Sequence, residues 1–195
     1  MVVGGGIAGI QSALDLADSG IKVYLVERGP AVGGRMAALD KTFPTTDCAM
    51  CIISPKLSAV SRHPNIEILT LSELVALDGT AGDFRATVRR RPRYVDPLRC
   101  TACGECAAAC PIRVPSEFDY GLSRRTAIYR PYPQAVPNLY AIDRRGRAPC
   151  RDACPIHQRA SGYVALVAQG RFQEEFRVIN MDNPFPGICG RFCFH

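Results

Sequence analysis

The chain has 195 residues, 47% of them hydrophobic and 22% charged, which is typical of a globular protein with a core for one or two domains. It lacks both the roughly eighteen consecutive apolar residues of a membrane span and the pattern of a secretory signal, so neither is predicted. The net charge of +6 comes from arginines and lysines that are scattered along the chain, which favours a solvated basic surface over a nucleic-acid interface.

A glycine-rich loop near the N-terminus predicts a nucleotide-binding α/β unit. Gly4, Gly6 and Gly9 satisfy G-x-G-x-x-G between a strand that ends at Val3 and a helix predicted over residues 7–19. These glycines allow a tight turn, close approach of a pyrophosphate and close helix–strand packing. Because so few residues precede the loop, the N-terminus is expected to be truncated or misassigned.

An acidic residue follows the second predicted strand, residues 21–26. Glu27 stands where a carboxylate accepts hydrogen bonds from ribose hydroxyls. Both FAD and NAD(P) carry such a ribose, so these residues alone leave the cofactor open. The run from Glu27 and Arg28 to Gly33 and Gly34 resembles the FAD-contacting segment of flavoproteins with two dinucleotide-binding domains. That resemblance favours FAD, with NAD(P) as the alternative.

Cys48 and Cys51 form an isolated C-x-x-C pair. A helix is predicted after them, with Ser54 as N-cap and Pro55 as first residue, to about Arg62. Three interpretations of the pair stay open: ligands of a cluster, a redox dithiol beside the flavin, or two structural thiols.

The following segment, residues 65–93, is predicted to form β-strands and contains no candidate functional residues. Residues 66–70 alternate as a strand, and residues 72–77 and 84–91 flank a turn-rich link over 78–83. We expect a hairpin within a β-meander that packs against the nucleotide-binding sheet.

A cysteine-rich run then predicts a [4Fe–4S] cluster. Its cysteines are separated by two, two and three residues and are followed by Pro111, the bacterial ferredoxin spacing: Cys100, Cys103, Cys106 and Cys110. Zinc is the alternative, although zinc sites usually combine two separated pairs. With ten cysteines and no export signal, metal or redox chemistry in a reducing compartment, the cytoplasm, is predicted.

Three segments together resemble a known flavoprotein family. Residues 39–57, the ferredoxin run and residues 131–138 are similar to the A subunit of heterodisulfide reductase, an iron–sulfur flavoprotein, and to its bacterial relatives, and the similarity covers about residues 1–143. The resemblance implies a flavoprotein with a ferredoxin insert that passes electrons between FAD and [4Fe–4S] clusters, in some members with electron bifurcation. The flavin residues it implies are Gly4, Gly6, Gly9, Glu27, Gly33 and Gly34, and the ligands of the insert are Cys100, Cys103, Cys106 and Cys110.

The C-terminal segment carries two C-x₃-C pairs around two predicted helices, residues 161–169 and 172–180. It resembles the N-terminal iron–sulfur domain of the glutamate synthase small subunit, which is also found at the front of dihydropyrimidine dehydrogenase. This resemblance implies a second cluster, with zinc as the alternative, and the chain is expected to be cut within the motif. The four ligands would be Cys150, Cys154, Cys189 and Cys193.

The predicted architecture is α/β: an incomplete Rossmann-type FAD-binding unit (1–93), a ferredoxin-like insert (94–115), an extended linker or a segment laid across another domain (116–147), and an α-helical iron–sulfur domain (148–195). The predicted function is electron transfer by a fragment of a flavoprotein that is not expected to be active alone. Expected partners are other subunits of a heterodisulfide-reductase-like or hydrogenase/dehydrogenase complex, with ferredoxin or NAD(P)H as redox partners. The alternatives are an NAD(P)H-dependent oxidoreductase of the glutamate synthase type and a zinc-binding interaction module.

Overall fold

A computed structural model describes residues 1–110, 112–144, 148–168 and 170–193. Pro111, which follows the cysteine run, and Gln169, the predicted end of a helix, lie outside these residues. The chain divides into two compact units, Met1–Asp143 and Arg144–His195, close to the predicted boundary after residue 147.

The first unit is built on a parallel sheet of three strands in the order β1 (Val2–Val3), β2 (Val23–Val26) and β3 (Ile66–Leu69). The connections run through α1 (Ile7–Asp18) and α2 (Ala49–Arg62), as parallel pairing requires. The predicted Rossmann-type unit is therefore confirmed.

Helix α1 packs on this sheet through the face that its periodicity predicts. Gly20, with φ of +83°, follows its C-cap. Apolar side chains at i, i+3, i+4 and i+7 are all buried, and they join side chains of β2 and α2 in one core: Ile10, Ala13, Leu14, Ala17, Val23, Leu25, Ile53, Leu57 and Val60.

Helix α2 begins earlier than the sequence predicts. Cys48 is its N-cap and Pro55 lies inside it, so the prediction of a helix with Ser54 as N-cap and Pro55 as first residue is wrong. An internal proline costs a helix about 3 kcal/mol. Burial of Ala49, Ile53 and the later apolar residues of the same face offsets that cost.

The predicted hairpin is confirmed, but its strands are longer. Strands β4 (Ser72–Thr80) and β5 (Asp83–Arg90) pair antiparallel from Ser72 with Arg90 to Thr80 with Asp83. The segment predicted as a link is therefore mostly strand, because Gly79 and Gly82 adopt positive φ without strain and let the chain reverse over two residues. The hairpin is a two-stranded sheet of its own rather than part of a meander.

Residues 91–143 contain several short elements. They are a 3-residue strand pair β6 (Arg113–Pro115) and β7 (Arg124–Thr126), a second pair β8 (Ile128–Tyr129) and β9 (Ala141–Ile142), and the one-turn helix α3 (Glu105–Ala109).

Residues of the predicted linker contribute to the core of the first unit. Tyr132 and Ala135 are buried among the residues of α1, β2 and α2, and Val136 forms a β-bridge with Val32. As far as Asp143, these residues therefore belong to the first unit itself, which favours a packed segment over an extended linker.

The second unit is helical: α4 (Pro149–Ala153), α5 (Ala160–Ala168), α6 (Phe172–Asp182) and α7 (Pro186–Phe192). An ion pair of 3.1 Å joins Arg159, just before α5, to Asp182 at the end of α6. Within the described ranges, no helix is both long and apolar enough to cross a membrane.

We expect Ile53→Ala to lower the free energy of unfolding by about 2–5 kcal/mol, because Ile53 is fully buried and its truncation leaves a cavity. The neighbouring Ile52 is 37% exposed and is the matched control, for which Ile52→Ala should cost less than about 1 kcal/mol. Chemical denaturation measures both, and equal losses would contradict the placement of α2.

Candidate functional site

The glycine loop lies at the carboxyl end of β1 and is open on one side. Gly4 has φ of +104° and donates its N–H to the carbonyl of Val26 at 2.8 Å. A Cβ at Gly4 or at Gly6 would meet no atom within 4 Å, whereas one at Gly9 would lie 1.9 Å from the carbonyl oxygen of Gly4. Gly9 is thus needed for packing, and Gly4 and Gly6 leave room for a ligand, as the motif predicts.

The N-terminus of α1 faces this opening without a side-chain cap. Gly6 is the N-cap residue and provides no side-chain oxygen for the first N–H groups of the helix. Such N–H groups, together with the helix dipole, bind phosphate. This is the chemistry that the pyrophosphate of FAD requires.

Glu27 joins the glycine loop to the turn that follows β2. We call residues 28–34 the β2 turn. One carboxylate oxygen of Glu27 accepts from the N–H of Gly5 at 2.8 Å, and the other accepts from the N–H of Gly29 at 2.6 Å. The predicted contact of Glu27 with a ribose stays a prediction, and further lone pairs of both oxygens are available for it.

The two glycines at the end of the β2 turn lie against the glycine loop. Gly33 donates its N–H to the carbonyl of Gly5 at 2.6 Å, and a Cβ at Gly34 would lie 2.8 Å from Cα of Gly6. Gly33 and Gly34 have φ of +129° and +57°, so their backbone also favours glycine. The structure therefore brings both predicted glycine segments together. Arg28 is exposed at the start of the turn.

Arginines from beyond the hairpin hold the β2 turn from outside. Arg91 donates to the carbonyl of Arg28 at 2.8 Å, and Arg93 donates to the carbonyl of Pro30 at 2.7 Å. Burial lowers the pKa of Arg93, and the nearby Arg90 lowers it further. Sequence reasoning missed these residues, because a contact across sixty-three positions leaves no local pattern in the sequence.

Tyr132 holds the same turn from the predicted linker. Its hydroxyl donates to the carbonyl of Val32, and the N–H of Val32 donates to the carbonyl of Val136 at 2.8 Å. The ring stacks on Phe118 with centroids 5.4 Å apart. Burial raises the pKa of Tyr132 to about 12, and the negative charge of Glu27 acts in the same direction, so the hydroxyl remains a donor at neutral pH.

The insert cysteines surround α3. Cys100 and Cys103 precede the helix, Cys106 lies in it and Cys110 is its C-cap, while Gly104 turns the chain with φ of +91°. Backbone hydrogen bonds, first that with Ile128, lower the pKa of the Cys110 thiol, an environment that suits a thiolate. All four thiols are free, and none is fully buried.

The tail cysteines occupy matching positions on two short helices. Cys150 lies in α4 and Cys154 is its C-cap, and Cys189 lies in α7 and Cys193 is its C-cap. Among the residues that the structure describes, no three His, Cys, Asp or Glu side chains are grouped closely enough to hold a metal ion, in either unit. Ligation by both cysteine sets stays a prediction; the donor sets themselves, four thiols each, suit an iron–sulfur cluster.

Cys48 and Cys51 are paired with each other in a disulfide at the exposed N-terminus of α2. This is the oxidised form of the dithiol that the sequence offers as one of three interpretations. In this form the two sulfurs are not metal ligands.

Three family profiles match the chain. "FAD dependent oxidoreductase" matches residues 1–103, "4Fe-4S binding domain" matches residues 93–116, and "Dihydropyrimidine dehydrogenase domain II, 4Fe-4S cluster" matches residues 144–195. These matches indicate FAD and [4Fe–4S] clusters and confirm the predicted cofactors. The fusion to a glutamate synthase type of domain is not shown by them.

Curated relatives are similar to most of the chain. The chain is 62% identical over 143 positions to the A subunit of H(2)/formate:CoB-CoM heterodisulfide,ferredoxin reductase of Methanococcus maripaludis, covering 73% of this chain and 22% of the relative. The iron–sulfur A subunit of CoB–CoM heterodisulfide reductase of Methanocaldococcus jannaschii is 58% identical, with the same coverage. The A subunit of the ferredoxin/F(420)H(2)-dependent CoB-CoM heterodisulfide reductase of Methanosarcina acetivorans is 40% identical over 80% of this chain and 20% of its own length. The chain thus spans about a fifth of the length of these relatives, and the predicted resemblance to this flavoprotein family is confirmed.

We expect the hydroxyl of Tyr132 to make stability depend on pH at alkaline values. Its folded pKa of about 12 lies above the ordinary value of 10.0, so its stabilisation is complete below pH 10 and is lost as the pH rises toward 12. The free energy of unfolding of the wild type should therefore fall more steeply between pH 10 and 12 than that of Tyr132→Phe, by up to about 1.4 kcal/mol per pH unit. Parallel curves would show that the hydroxyl is not held as described.

Proposed function

Because the chain belongs to the family of FAD dependent oxidoreductases, we propose that it transfers electrons between an FAD on its glycine loop and [4Fe–4S] clusters on its cysteine motifs. The observation that carries this proposal is the contact between the two glycine segments. Gly34 lies against Gly6 beside the uncapped start of α1, which leaves one opening suited to a dinucleotide.

The chain's own residues would bind and orient the flavin. The N–H groups at the start of α1 would bind the pyrophosphate, and Glu27 would accept from a ribose hydroxyl while it holds Gly5 and Gly29 in place. Arg93 and Tyr132 would keep the β2 turn against the loop. FAD supplies the ability to accept an electron pair and to release electrons singly.

The cysteine motifs would bind the clusters. Cys100, Cys103, Cys106 and Cys110 are the ligands proposed for the insert, and the four tail cysteines are those proposed for the second unit. Because the thiols are not grouped in the described structure, cluster assembly would order these segments, as metal binding commonly does.

We further propose that the chain acts within a larger redox assembly. The names of its relatives include heterodisulfide, ferredoxin, H₂, formate and F₄₂₀H₂, which supports other redox subunits as partners and ferredoxin as an electron donor or acceptor. We also propose that this assembly is cytoplasmic and bifurcates electrons. Bifurcation requires one flavin that passes electrons to carriers of different potential.

The first test concerns the flavin. We expect Gly6→Ala to weaken FAD binding at least about tenfold, because the added methyl group would occupy the side from which the pyrophosphate approaches. Stability should change by less than about 0.5 kcal/mol, because φ at Gly6 is −78° and no atom lies within 4 Å of the new Cβ.

Flavin fluorescence measures the dissociation constant, and Ser12→Ala, an exposed change on the same helix, is the matched control. An unchanged FAD affinity for Gly6→Ala would refute binding at this loop.

The second test counts iron and acid-labile sulfide after anaerobic purification. We expect about eight of each per chain if both motifs carry [4Fe–4S] clusters, and about four if only the insert does. Changing Cys103 and Cys106 together to alanine should remove about four iron atoms, since a cluster loses two of its four ligands.

Cys48→Ser combined with Cys51→Ser is the control and should leave the iron content unchanged, since that pair is a disulfide. Zinc without sulfide would contradict electron transfer and favour a structural metal module.

A further inference from the structure

The side chain of Arg93 connects three segments of the first unit. One terminal nitrogen donates to the carbonyl of Pro30 and to the hydroxyl of Thr70, both at 2.7 Å. The other donates to the carbonyls of Leu139 and Tyr140, at 3.5 and 3.4 Å. A single half-buried guanidinium thus links the β2 turn, the end of β3 and the return from the cluster-bearing insert.

Tyr140 also lies near the loop between Cys103 and α3. The hydroxyl of Tyr140 would lie 3.1 Å from a Cβ at Gly104, the residue between Cys103 and α3. The backbone carbonyl of Arg93 accepts from the N–H of Ile142 at 3.1 Å and closes the insert at its base. The hydroxyl of Tyr140 therefore lies beside Gly104, while its carbonyl accepts from Arg93, which also donates to Pro30.

We propose that Arg93 is a positioning residue through which cluster assembly in the insert strengthens FAD binding on the β2 turn, an inference that rests on the function proposed above. Ordering the loop around Gly104 fixes Tyr140, whose carbonyl orients the guanidinium, which in turn fixes the carbonyl of Pro30. Once the cluster has ordered this region, FAD binding no longer carries the entropic cost of ordering it. The effect is reciprocal, so bound FAD should equally favour cluster assembly.

Only arginine suits this position. Its planar guanidinium presents five donors in a fixed arrangement and can serve acceptors on three sides, whereas lysine offers one point charge. Arg93→Lys keeps the charge and a similar length, and therefore separates geometry from electrostatics.

The experiment measures the FAD dissociation constant of the full chain in a double-mutant cycle. Wild type and Arg93→Lys are each compared with and without the insert cluster, which is removed by changing Cys103 and Cys106 to alanine. In the wild type, loss of the cluster should weaken FAD binding at least about fivefold. In Arg93→Lys it should change FAD binding less than about twofold, because the connection is already broken.

Two further variants make the result specific. Arg89→Lys is the matched control, since Arg89 pairs with Glu73 on the exposed hairpin and should keep the wild-type dependence on the cluster. Tyr140→Phe removes the hydroxyl beside Gly104 but keeps the carbonyl that binds Arg93. It should reduce the dependence while leaving the FAD affinity of the cluster-free protein unchanged, and it carries the test if Arg93→Lys fails to fold.

The outcomes separate this inference from the proposed function. If the wild type binds FAD equally with and without the cluster, or if Arg93→Lys and Tyr140→Phe both keep the fivefold dependence, the inference is overturned and the electron-transfer function stands. If the wild type binds no FAD at all, the proposed function fails and this inference fails with it. Hydrogen exchange at the N–H of Val32 gives a readout without flavin, and Arg93→Lys should speed that exchange.

Discussion

The close approach of two backbone segments determines the geometry of the first unit. Gly34 lies so near Gly6 that a Cβ on Gly34 would clash with the Gly6 backbone, and the carboxylate of Glu27 ties the same two segments through Gly5 and Gly29. The polar groups that maintain this approach bind backbone atoms, which leaves the outer side of the glycine loop unobstructed. The site is therefore an opening between main-chain segments rather than a pocket lined by reactive side chains, as suits a protein whose chemistry comes from cofactors.

Elements with local signals could be predicted from the sequence. Helix α1 follows from the spacing of Ile10, Ala13, Leu14 and Ala17, and the glycine loop follows from its position between strand and helix. Helix α2 was predicted to start too late, since proline usually marks the first turn of a helix. The helix starts earlier, at Ala49, because the face that contains Ala49 and Ile53 is buried.

The candidate site could be predicted only in part, because many of the contacts that hold it join residues far apart in the sequence. The glycines and Glu27 belong to a contiguous pattern, but Tyr132 and Val32 are a hundred positions apart and Arg93 is sixty-three positions from Pro30. No periodicity indicates such pairs. For the cysteines the opposite holds: their spacing identifies the ligand type, whereas the grouping of their thiols depends on the cluster that binds them.

The hydrogen bond between Ile142 and Arg93 has a further consequence for how such a protein could arise and be altered. It brings the two ends of residues 94–141 together at one place in the first unit. A segment with adjacent ends can be exchanged for another of different length at little entropic cost to the host fold. Because Tyr132 and Ala135 of this segment belong to the core of the unit, only the cysteine-bearing part that precedes them could be exchanged for another electron-carrying module.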